Sequence, residues 1–246
     1  MDDHESDPDT GPDPDAGPEL ANHSSRVRVR EVYDEIAGHF SKTRASPWPE
    51  IGAFLDDVPP GGLGLDVGCG NGRHLALVAD RSDRALGLDA SRALLAEARD
   101  RLSHAGNVAL LQGDAAALPL ADGTVDTGLY VATIHHLPDR VTRRASLDEL
   151  ARVLAPDGRA LVSVWSTTHD RFDAPGDSEG FDTTVDWTLP DGRTVPRFYH
   201  VYAPPEFDID LAASDVAVEK TFVSNGNCFA HVCGGGKRAG QSGSRR

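Results

Sequence analysis

The middle of the chain alternates short apolar runs with segments of helical periodicity. Apolar runs at about residues 63–67, 85–89, 107–112, 125–131 and 159–165 predict five strands. Hydrophobic positions at helical spacing predict helices at about residues 73–80, 91–103 and 142–154, the last of which should end at Pro156-Asp157-Gly158. Strands and helices that alternate over short connections predict an α/β fold with a doubly wound, mostly parallel sheet.

Elements before and after this alternation complete the predicted domain. From Arg26 onward, apolar residues at helical spacing predict an N-terminal helix, and a second helix begins near Ile51 and ends at the Pro-Pro-Gly-Gly of residues 59–62. Residues 216–223 and 228–232 flank Asn225-Gly226, a strong signal for a tight antiparallel hairpin. Two such strands bring the sheet to seven, whereas a dinucleotide-binding fold would need another parallel half.

Three segments depart from the regular pattern. Residues 1–20 carry eight acidic side chains and no basic one, so we expect residues 1–25 to be a disordered acidic leader, whose possible function stays open. Residues 26–233 are expected to form one domain, with the long polar stretch 166–205 as a substrate-side insertion. Residues 234–246 are rich in Gly, Ser and Arg and are expected to be a flexible tail.

The composition bears on the environment of the protein. The formal net charge is −15, and only three of the 24 basic residues are lysine. This composition resembles that of proteins from halophiles that accumulate salt. A haloarchaeal origin is one interpretation, and a GC-rich genome is the other. No apolar run approaches the ~20 residues of a membrane helix, and the three cysteines suggest neither a disulfide framework nor a zinc site. We therefore expect a cytoplasmic protein.

A glycine-rich turn joins the first predicted strand to a helix. It reads Asp66-Val67-Gly68-Cys69-Gly70-Asn71-Gly72, and Asp89 ends the next strand. Glycines at such a turn let a ligand lie against backbone N–H groups, while the acid accepts hydrogen bonds from ribose hydroxyls. Arg73 stands where a dinucleotide site needs its third glycine, so the pattern departs from that of NAD-binding proteins. A turn without any ligand is the plainer alternative.

This turn resembles the first motif of class I S-adenosylmethionine-dependent methyltransferases, which have a Rossmann-like, seven-stranded sheet. The resemblance implies that the glycines contact the methionine end of S-adenosyl-L-methionine and that Asp114, after the third strand, binds the adenine amino group. The expected cofactor-binding residues are Tyr33, Asp66, Gly68, Cys69, Gly70, Asn71, Gly72, Asp89, Ala90, Asp114, Ala115 and Tyr130.

The methyl acceptor is expected beyond the fourth strand, near Tyr130 to Leu137. The Asn/Asp-Pro-Pro-aromatic motif typical of methyltransferases that act on base amines is missing there, which disfavours base N-methylation. The neighbouring His135 and His136 could hold a metal, support the start of a helix or, for His135, line the pocket. Because no third ligand stands nearby at a recognised spacing, we predict no metal site.

Several segments outside the glycine turn resemble one narrower family, the wobble-uridine tRNA carboxymethyl methyltransferases. They are residues 33–44, Pro47-Trp48-Pro49, residues 134–137, residues 152–154 and residues 197–202, within a similarity that spans about residues 32–233. The last segment, Arg197-Phe198-Tyr199-His200-Val201-Tyr202, has phenylalanine where the family has tyrosine.

The narrower resemblance implies methyl transfer to the carboxylate of 5-carboxymethyluridine at the tRNA wobble position. A carboxylate is ionised at neutral pH, so such an enzyme needs alignment and exclusion of water but no general base. Arginine suits a carboxylate or phosphate, which makes Arg44 and Arg197 candidates, with Tyr199 and His200 placing the uridine. Five further arginines could follow the tRNA backbone: Arg26, Arg28, Arg30, Arg143 and Arg144.

Two other functions remain open from the sequence. A small-molecule methyltransferase of quinone or lipid biosynthesis would share the glycine turn and Asp89, although Trp48 and residues 197–200 would not be expected there. A cofactor-binding scaffold without catalysis is the other alternative. The family resemblance also implies a possible partner, a small zinc-binding methyltransferase activator protein that pairs along the sheet edge.

Overall fold

A computed structural model of the protein describes residues 18–172 and 179–234, with residues 18–24 described by their backbone alone. Residues 1–17 of the expected leader and residues 235–246 of the expected tail lie outside the described residues. In the described part, no helix is long and apolar enough to cross a membrane.

A seven-stranded sheet forms the centre of the domain. Its strands are β1 (Leu63–Val67), β2 (Arg84–Asp89), β3 (Val108–Gln112), β4 (Val125–Val131), β5 (Leu154–Trp165), β8 (Ala217–Ser224) and β9 (Asn227–Cys233). The order is β3-β2-β1-β4-β5-β9-β8, with β9 antiparallel to both of its neighbours and the other pairs parallel. The predicted sheet and its C-terminal hairpin are thus confirmed.

Helices cover both faces of this sheet. They are α1 (Pro18–Thr43), α2 (Pro49–Asp56), α3 (Leu75–Ala79), α4 (Arg92–Arg101), α5 (Arg140–Val153) and α6 (Pro204–Ala213), with a short 3₁₀ turn at Ile134–His136. Successive strand residues such as Leu129 and Tyr130 belong to different hydrophobic clusters, because neighbouring side chains on a strand point to opposite faces. The two clusters are therefore the two cores between sheet and helices.

The structure differs from the sequence prediction at two places. Helix α1 begins at Pro18, inside the segment 1–25 that was expected to be disordered. The polar stretch 166–205 contains a second, two-stranded antiparallel sheet of β6 (Phe181–Thr188) and β7 (Thr194–Val201). Only Val185 and Trp187 of β6 are buried, so the strand carried little hydrophobic signal.

Helix α1 is fixed to the rest of the domain by polar contacts. The Asp34 carboxylate accepts hydrogen bonds from the Ser91 hydroxyl (2.7 Å) and the Ala93 backbone N–H (3.0 Å) at the start of α4. Glu35 pairs with Arg193 of the β6–β7 hairpin at 2.8 Å. Asp34 acts as a second cap for α4, beside the Ser91 N-cap, and α1 is held between α4 and the hairpin.

Candidate active site

A cleft of about 690 Å³ opens at the carboxyl ends of the parallel strands, where the strand order reverses between β1 and β4. Ligands of open α/β sheets bind at this topological position. The cleft is bounded by the glycine turn, the ends of β2 to β4, helix α1 and strand β7. Residues from all of these elements therefore face one space.

The glycine turn has the backbone that its sequence requires. Gly68, Gly70 and Gly72 have φ angles of 72°, 54° and 76°, in the left-handed region that favours glycine. A Cβ on Gly68 would collide with the Thr133 side chain, and one on Gly72 would press on Leu102. The turn thus needs glycine both for its conformation and for close packing.

Asp89 supports this turn and also faces the cleft. One carboxylate oxygen accepts the Gly70 N–H and the other the Ser91 N–H, each at 2.8 Å. Each oxygen keeps a lone pair for a ligand hydroxyl. Asp89 can therefore accept hydrogen bonds from ribose hydroxyls, and this role stays a prediction.

Asp66 lies behind the turn as a second buried carboxyl group. It is 2% exposed, and its Oδ2 has no hydrogen-bond partner among the described residues. Burial and the neighbouring Asp89 raise the pKa of Asp66 to about 7, although Arg73 opposes the shift. Burial raises the pKa of Asp89 to about 6. Asp66 and Asp89 are therefore two carboxyl groups that resist ionisation.

These raised pKa values predict that stability falls as pH rises from about 4 to about 7. In that window the folded state holds protons on Asp66 and Asp89 that the unfolded chain has released. Asp66→Asn should remove part of this dependence and stabilise the protein at pH 8 by about 1–3 kcal/mol, with a smaller gain at pH 5. Denaturant titrations without ligand at both pH values measure this. Equal gains at pH 5 and pH 8 would contradict the prediction.

Seven of the predicted cofactor-binding residues line the cleft: Tyr33, Gly68, Gly70, Asp89, Ala90, Asp114 and Ala115. Asp66, Cys69, Asn71, Gly72 and Tyr130 do not line it, and their contact with the cofactor stays a prediction. The Tyr130 side chain is buried, and its hydroxyl donates to Ser146 at 2.9 Å. Burial also raises the pKa of the Cys69 thiol well above its usual value.

Asn71 has a bracing role that the sequence did not indicate. Its side-chain amide donates to the backbone carbonyl oxygen of Arg44 at 3.0 Å, which joins the glycine turn to the segment after α1. Arg44 itself is exposed and lines the cleft. The contact places Arg44 at the glycine end of the cleft.

Asp114 is partly engaged within the protein. Its Oδ1 accepts the Ala116 N–H at 2.9 Å, and its Oδ2 pairs with Arg26 of α1 at 2.6 Å. An adenine amino group would therefore share Asp114 with Arg26 or displace it. Arg26 is accordingly not free to follow a nucleic-acid backbone.

Two other arginines predicted to contact tRNA are also occupied. Arg143 is 4% exposed, lies over the Tyr202 ring and donates to the Leu137 carbonyl oxygen. Arg144 pairs with the buried Asp210 at 2.9 Å. Arg28 is exposed and Arg30 lines the cleft, so contact with the tRNA backbone stays a prediction for these two.

The hydrogen bonds of the two adjacent histidines fix their tautomers. His135 Nδ1 accepts the Trp165 backbone N–H at 3.0 Å. His136 Nδ1 donates to the Phe198 carbonyl oxygen at 2.9 Å, so its Nε2 accepts the Tyr33 hydroxyl at 2.8 Å. Burial lowers the pKa of both rings, that of His136 to about 3. Both are neutral, and neither has a free lone pair to accept a proton.

Arg197 is the cation at the acceptor end of the cleft. It is 7% exposed, and its guanidinium donates to the Tyr199 hydroxyl at 2.6 Å. It makes no ion pair within residues 18–172 and 179–234, and its Nε has no partner there. Arg197, Tyr199 and His135 come together in the cleft, as predicted.

His200 does not line the cleft, which corrects its predicted contact with the acceptor. Its ring lies between the carboxylates of Asp182 (2.7 Å) and Glu206 (3.1 Å), because alternation along β7 turns it away from the side chain of Tyr199. His200 therefore joins the β6–β7 hairpin to α6.

Sequence reasoning missed several residues of the site. Ser91, Gln112, Thr133, His136 and Trp165 line the cleft, while the Trp187 ring lies beside Arg197. The first five lie at or just after the carboxyl ends of strands β2 to β5, which was a usable signal because the carboxyl ends of parallel strands meet at one edge. Within the described part of the chain, no cluster of three or more His, Cys, Asp or Glu side chains suits a metal ion.

The fit to S-adenosylmethionine rests on three observations. Gly68 and Gly70 of the turn line the cleft, Asp89 retains lone pairs for a ribose, and Tyr33 and Asp114 line the same cleft. Residues 65–162 match the family model described as a methyltransferase domain. The cofactor that the sequence predicted is thus confirmed as S-adenosyl-L-methionine.

Two relatives are tRNA (carboxymethyluridine(34)-5-O)-methyltransferases. One from Xenopus tropicalis is 41% identical over 153 residues, which cover 62% of this chain and 23% of that protein. The other, from Schizosaccharomyces pombe, is 33% identical over 162 residues, which cover 65% of this chain and 68% of that protein. The chain spans less than a quarter of the length of the frog relative.

Solved structures confirm the fold. A Burkholderia thailandensis 1,6-didemethyltoxoflavin-N1-methyltransferase with bound S-adenosylhomocysteine superposes with a TM-score of 0.69 at 19% identity, covering 89% of this chain and 92% of the other. A Haloferax volcanii putative methyltransferase, solved in complex with the Trm112 methyltransferase activator, superposes with a TM-score of 0.61 at 17% identity. This superposition covers 84% of this chain and 97% of the other. The relative from Schizosaccharomyces pombe, which is 33% identical and covered to 68% of its length, shows that the chain belongs to the methyltransferase family that includes the tRNA (carboxymethyluridine(34)-5-O)-methyltransferases.

Proposed function

We propose that this protein methylates the carboxylate of 5-carboxymethyluridine, or a closely related group, at the wobble position of tRNA. The observation that carries the proposal is the buried Arg197, which faces the cleft without a carboxylate partner in the described part of the chain. A buried guanidinium is costly unless an anion compensates it. An acceptor carboxylate would supply that anion and bind in a bidentate manner.

The histidines support a carboxylate as the acceptor. S-adenosylmethionine supplies an electrophilic methyl group, so the acceptor atom needs only a free lone pair. An amine or hydroxyl acceptor would have to lose a proton, but the acceptor nitrogens of His135 and His136 are already occupied. A carboxylate with a pKa of about 4 is ionised beforehand. Arg197 then has to orient it, and the surrounding aromatic rings have to exclude water.

Aromatic side chains support a nucleoside as the carrier of that carboxylate. Trp165, Tyr199 and His135 lie together at the acceptor end, with ring centroids 4.8 Å apart for Trp165 and Tyr199. Rings of this kind stack on unpaired bases of RNA loops. The exposed Arg28 and the cleft arginine Arg30 can contact phosphates. For an enzyme that acts on tRNA, we propose the cytoplasm as its location.

We further propose a small zinc-binding activator as a partner of the free edge of β3. Strand β3 is the outer strand beside β2, and Leu111 on it is 38% exposed. An exposed strand edge with an apolar side chain is open to pairing with another chain. The Haloferax volcanii structural neighbour, which was solved in complex with the Trm112 methyltransferase activator, supports the proposal.

Methyl transfer to defined RNAs tests the proposed function. Purified protein, with and without an added activator, is incubated with labelled S-adenosylmethionine and anticodon stem-loops that carry carboxymethyluridine or unmodified uridine. We expect an alkali-labile methyl ester on the first RNA only. Transfer to a quinone or lipid precursor but to neither RNA would favour the small-molecule alternative. Cofactor binding without transfer to any acceptor would favour the scaffold.

A further inference from the structure

Two guanidinium groups lie beside one indole ring. The Cζ atoms of Arg197 and Arg44 are 4.8 Å and 5.2 Å from the centroid of the Trp187 ring. Within residues 18–172 and 179–234, neither arginine pairs with a carboxylate. In a chain with a net charge of −15, two neighbouring cations without acidic partners are a notable arrangement.

The Trp187 ring is held rigidly. It is 7% exposed, and its Nε1–H donates to His39 Nδ1 of α1 at 3.0 Å. It packs with Ile36 of α1 and Val195 of β7, and the Phe40 ring lies 5.6 Å away. Because contacts from two elements fix this ring, it can set the position of the arginines beside it.

An aromatic face affects a cation differently from a carboxylate. A carboxylate would neutralise Arg197 and occupy its N–H donors, so an anionic ligand would have to displace it. The electron-rich face of an indole attracts the cation and leaves the donors available. Tyr199 adds a second ring, 5.2 Å from the Arg197 Cζ. Arg197 therefore stays buried and charged while some of its N–H groups remain available to bind an anion.

We propose that Trp187 is a positioning residue that makes this site select an ionised acceptor over a neutral one of the same shape. The inference rests on the proposed function for its natural acceptor, a carboxymethyl group. The corresponding amide has nearly the same size, but it is neutral, and its NH₂ group would face the donors of Arg197. Trp187 therefore contributes to discrimination between acid and amide without touching the reacting atoms.

The first experiment uses small probes and no RNA. The indole N–H signal of Trp165, assigned with Trp165→Phe, reports by NMR on the full chain because the Trp165 ring lies 4.8 Å from that of Tyr199. Acetate should shift this signal in the wild type and acetamide should not. The acetate concentration that gives half of the full shift should be about tenfold higher for Trp187→Leu than for the wild type, and the increase should be smaller for Trp187→Phe. Arg197→Met should show no shift with acetate. If the wild type and Trp187→Leu had the same apparent affinity for acetate, the inference would be overturned.

The second experiment measures affinities for stem-loops that carry carboxymethyluridine or its amide. The acid-to-amide affinity ratio should fall about tenfold in Trp187→Leu and less in Trp187→Phe, while S-adenosylhomocysteine binds as in the wild type. Phe222→Leu is the control, since it removes a cation–π partner of Lys220 outside the cleft. An unchanged ratio, or an equal loss of cofactor binding, would contradict the role of Trp187. If the wild type bound neither RNA, the proposed function would fail, while the acetate titration would still decide the role of Trp187.

Discussion

Replacing Arg197 by methionine is expected to lower kcat/KM for methyl transfer by about two to three orders of magnitude, with cofactor affinity unchanged. Removing one member of a buried charge pair costs about 2–5 kcal/mol, and Arg197 is the buried cation that the acceptor carboxylate would meet. Arg197→Lys should recover only part of the activity, because lysine keeps the charge but not the planar fork. Steady-state kinetics with a carboxymethyluridine stem-loop measure both variants.

The matched control for this prediction is Arg193→Met on the same hairpin. Arg193 is exposed and pairs with Asp191 and Glu35 outside the cleft. Its loss should leave the kinetics within about twofold of the wild type, since exposed ion pairs contribute about 0–1 kcal/mol. If both arginine variants lost the same activity, Arg197 would owe its effect to folding of the hairpin rather than to the acceptor.

Asp89→Ala is expected to weaken binding of S-adenosylhomocysteine by about a hundredfold or more. The carboxylate accepts the Gly70 and Ser91 N–H groups, and its remaining lone pairs are placed for ribose hydroxyls. Each hydrogen bond to a charged group contributes about 1.5–3 kcal/mol, so the loss of two explains the expected effect. Calorimetry on the purified protein measures the affinity.

The pH dependence of binding provides a further check on Asp89. Because burial raises its pKa to about 6, the carboxylate gains protons as pH falls through that value and loses its capacity to accept ribose hydrogens. Wild-type affinity should therefore fall between pH 7 and pH 5. Asp191→Asn, which changes an exposed acid on a hairpin turn, should bind like the wild type at each pH. Equal loss of cofactor affinity in Asp89→Ala and Arg197→Met would refute the separate roles of the two residues.

The sequence predicted the parallel sheet and its cofactor end well because the signals there are local. The glycine turn and the acid at the next strand end both lie within residues 66–89, and the turn depends on backbone geometry that few residues other than glycine permit. The Asn225-Gly226 hairpin is similarly local, with φ angles of 48° and 70°. These features needed no knowledge of distant contacts.

The acceptor end was harder to predict because its contacts are long-range. Trp187 reaches His39 across 148 positions, and His136 reaches the Phe198 carbonyl across 62. Neither contact leaves a pattern in its own segment. The same limit applies to the position of His200. Its residue type suggested that it lines the pocket, but strand alternation turns its ring toward Asp182 and Glu206. It also explains Arg143 and Arg144, whose partners lie on other elements.

The central claim is that the cleft methylates a wobble carboxylate on tRNA, and nucleoside mass spectrometry tests it most directly. Total tRNA is compared between wild-type cells, cells that lack the gene, and deletion cells that carry the wild-type gene or the Arg197→Met variant. Methyl esters of carboxymethyluridine should disappear in the deletion strain, with the free acid in their place. Only the wild-type gene should restore the esters. Unchanged methyl esters in the deletion strain would contradict the claim.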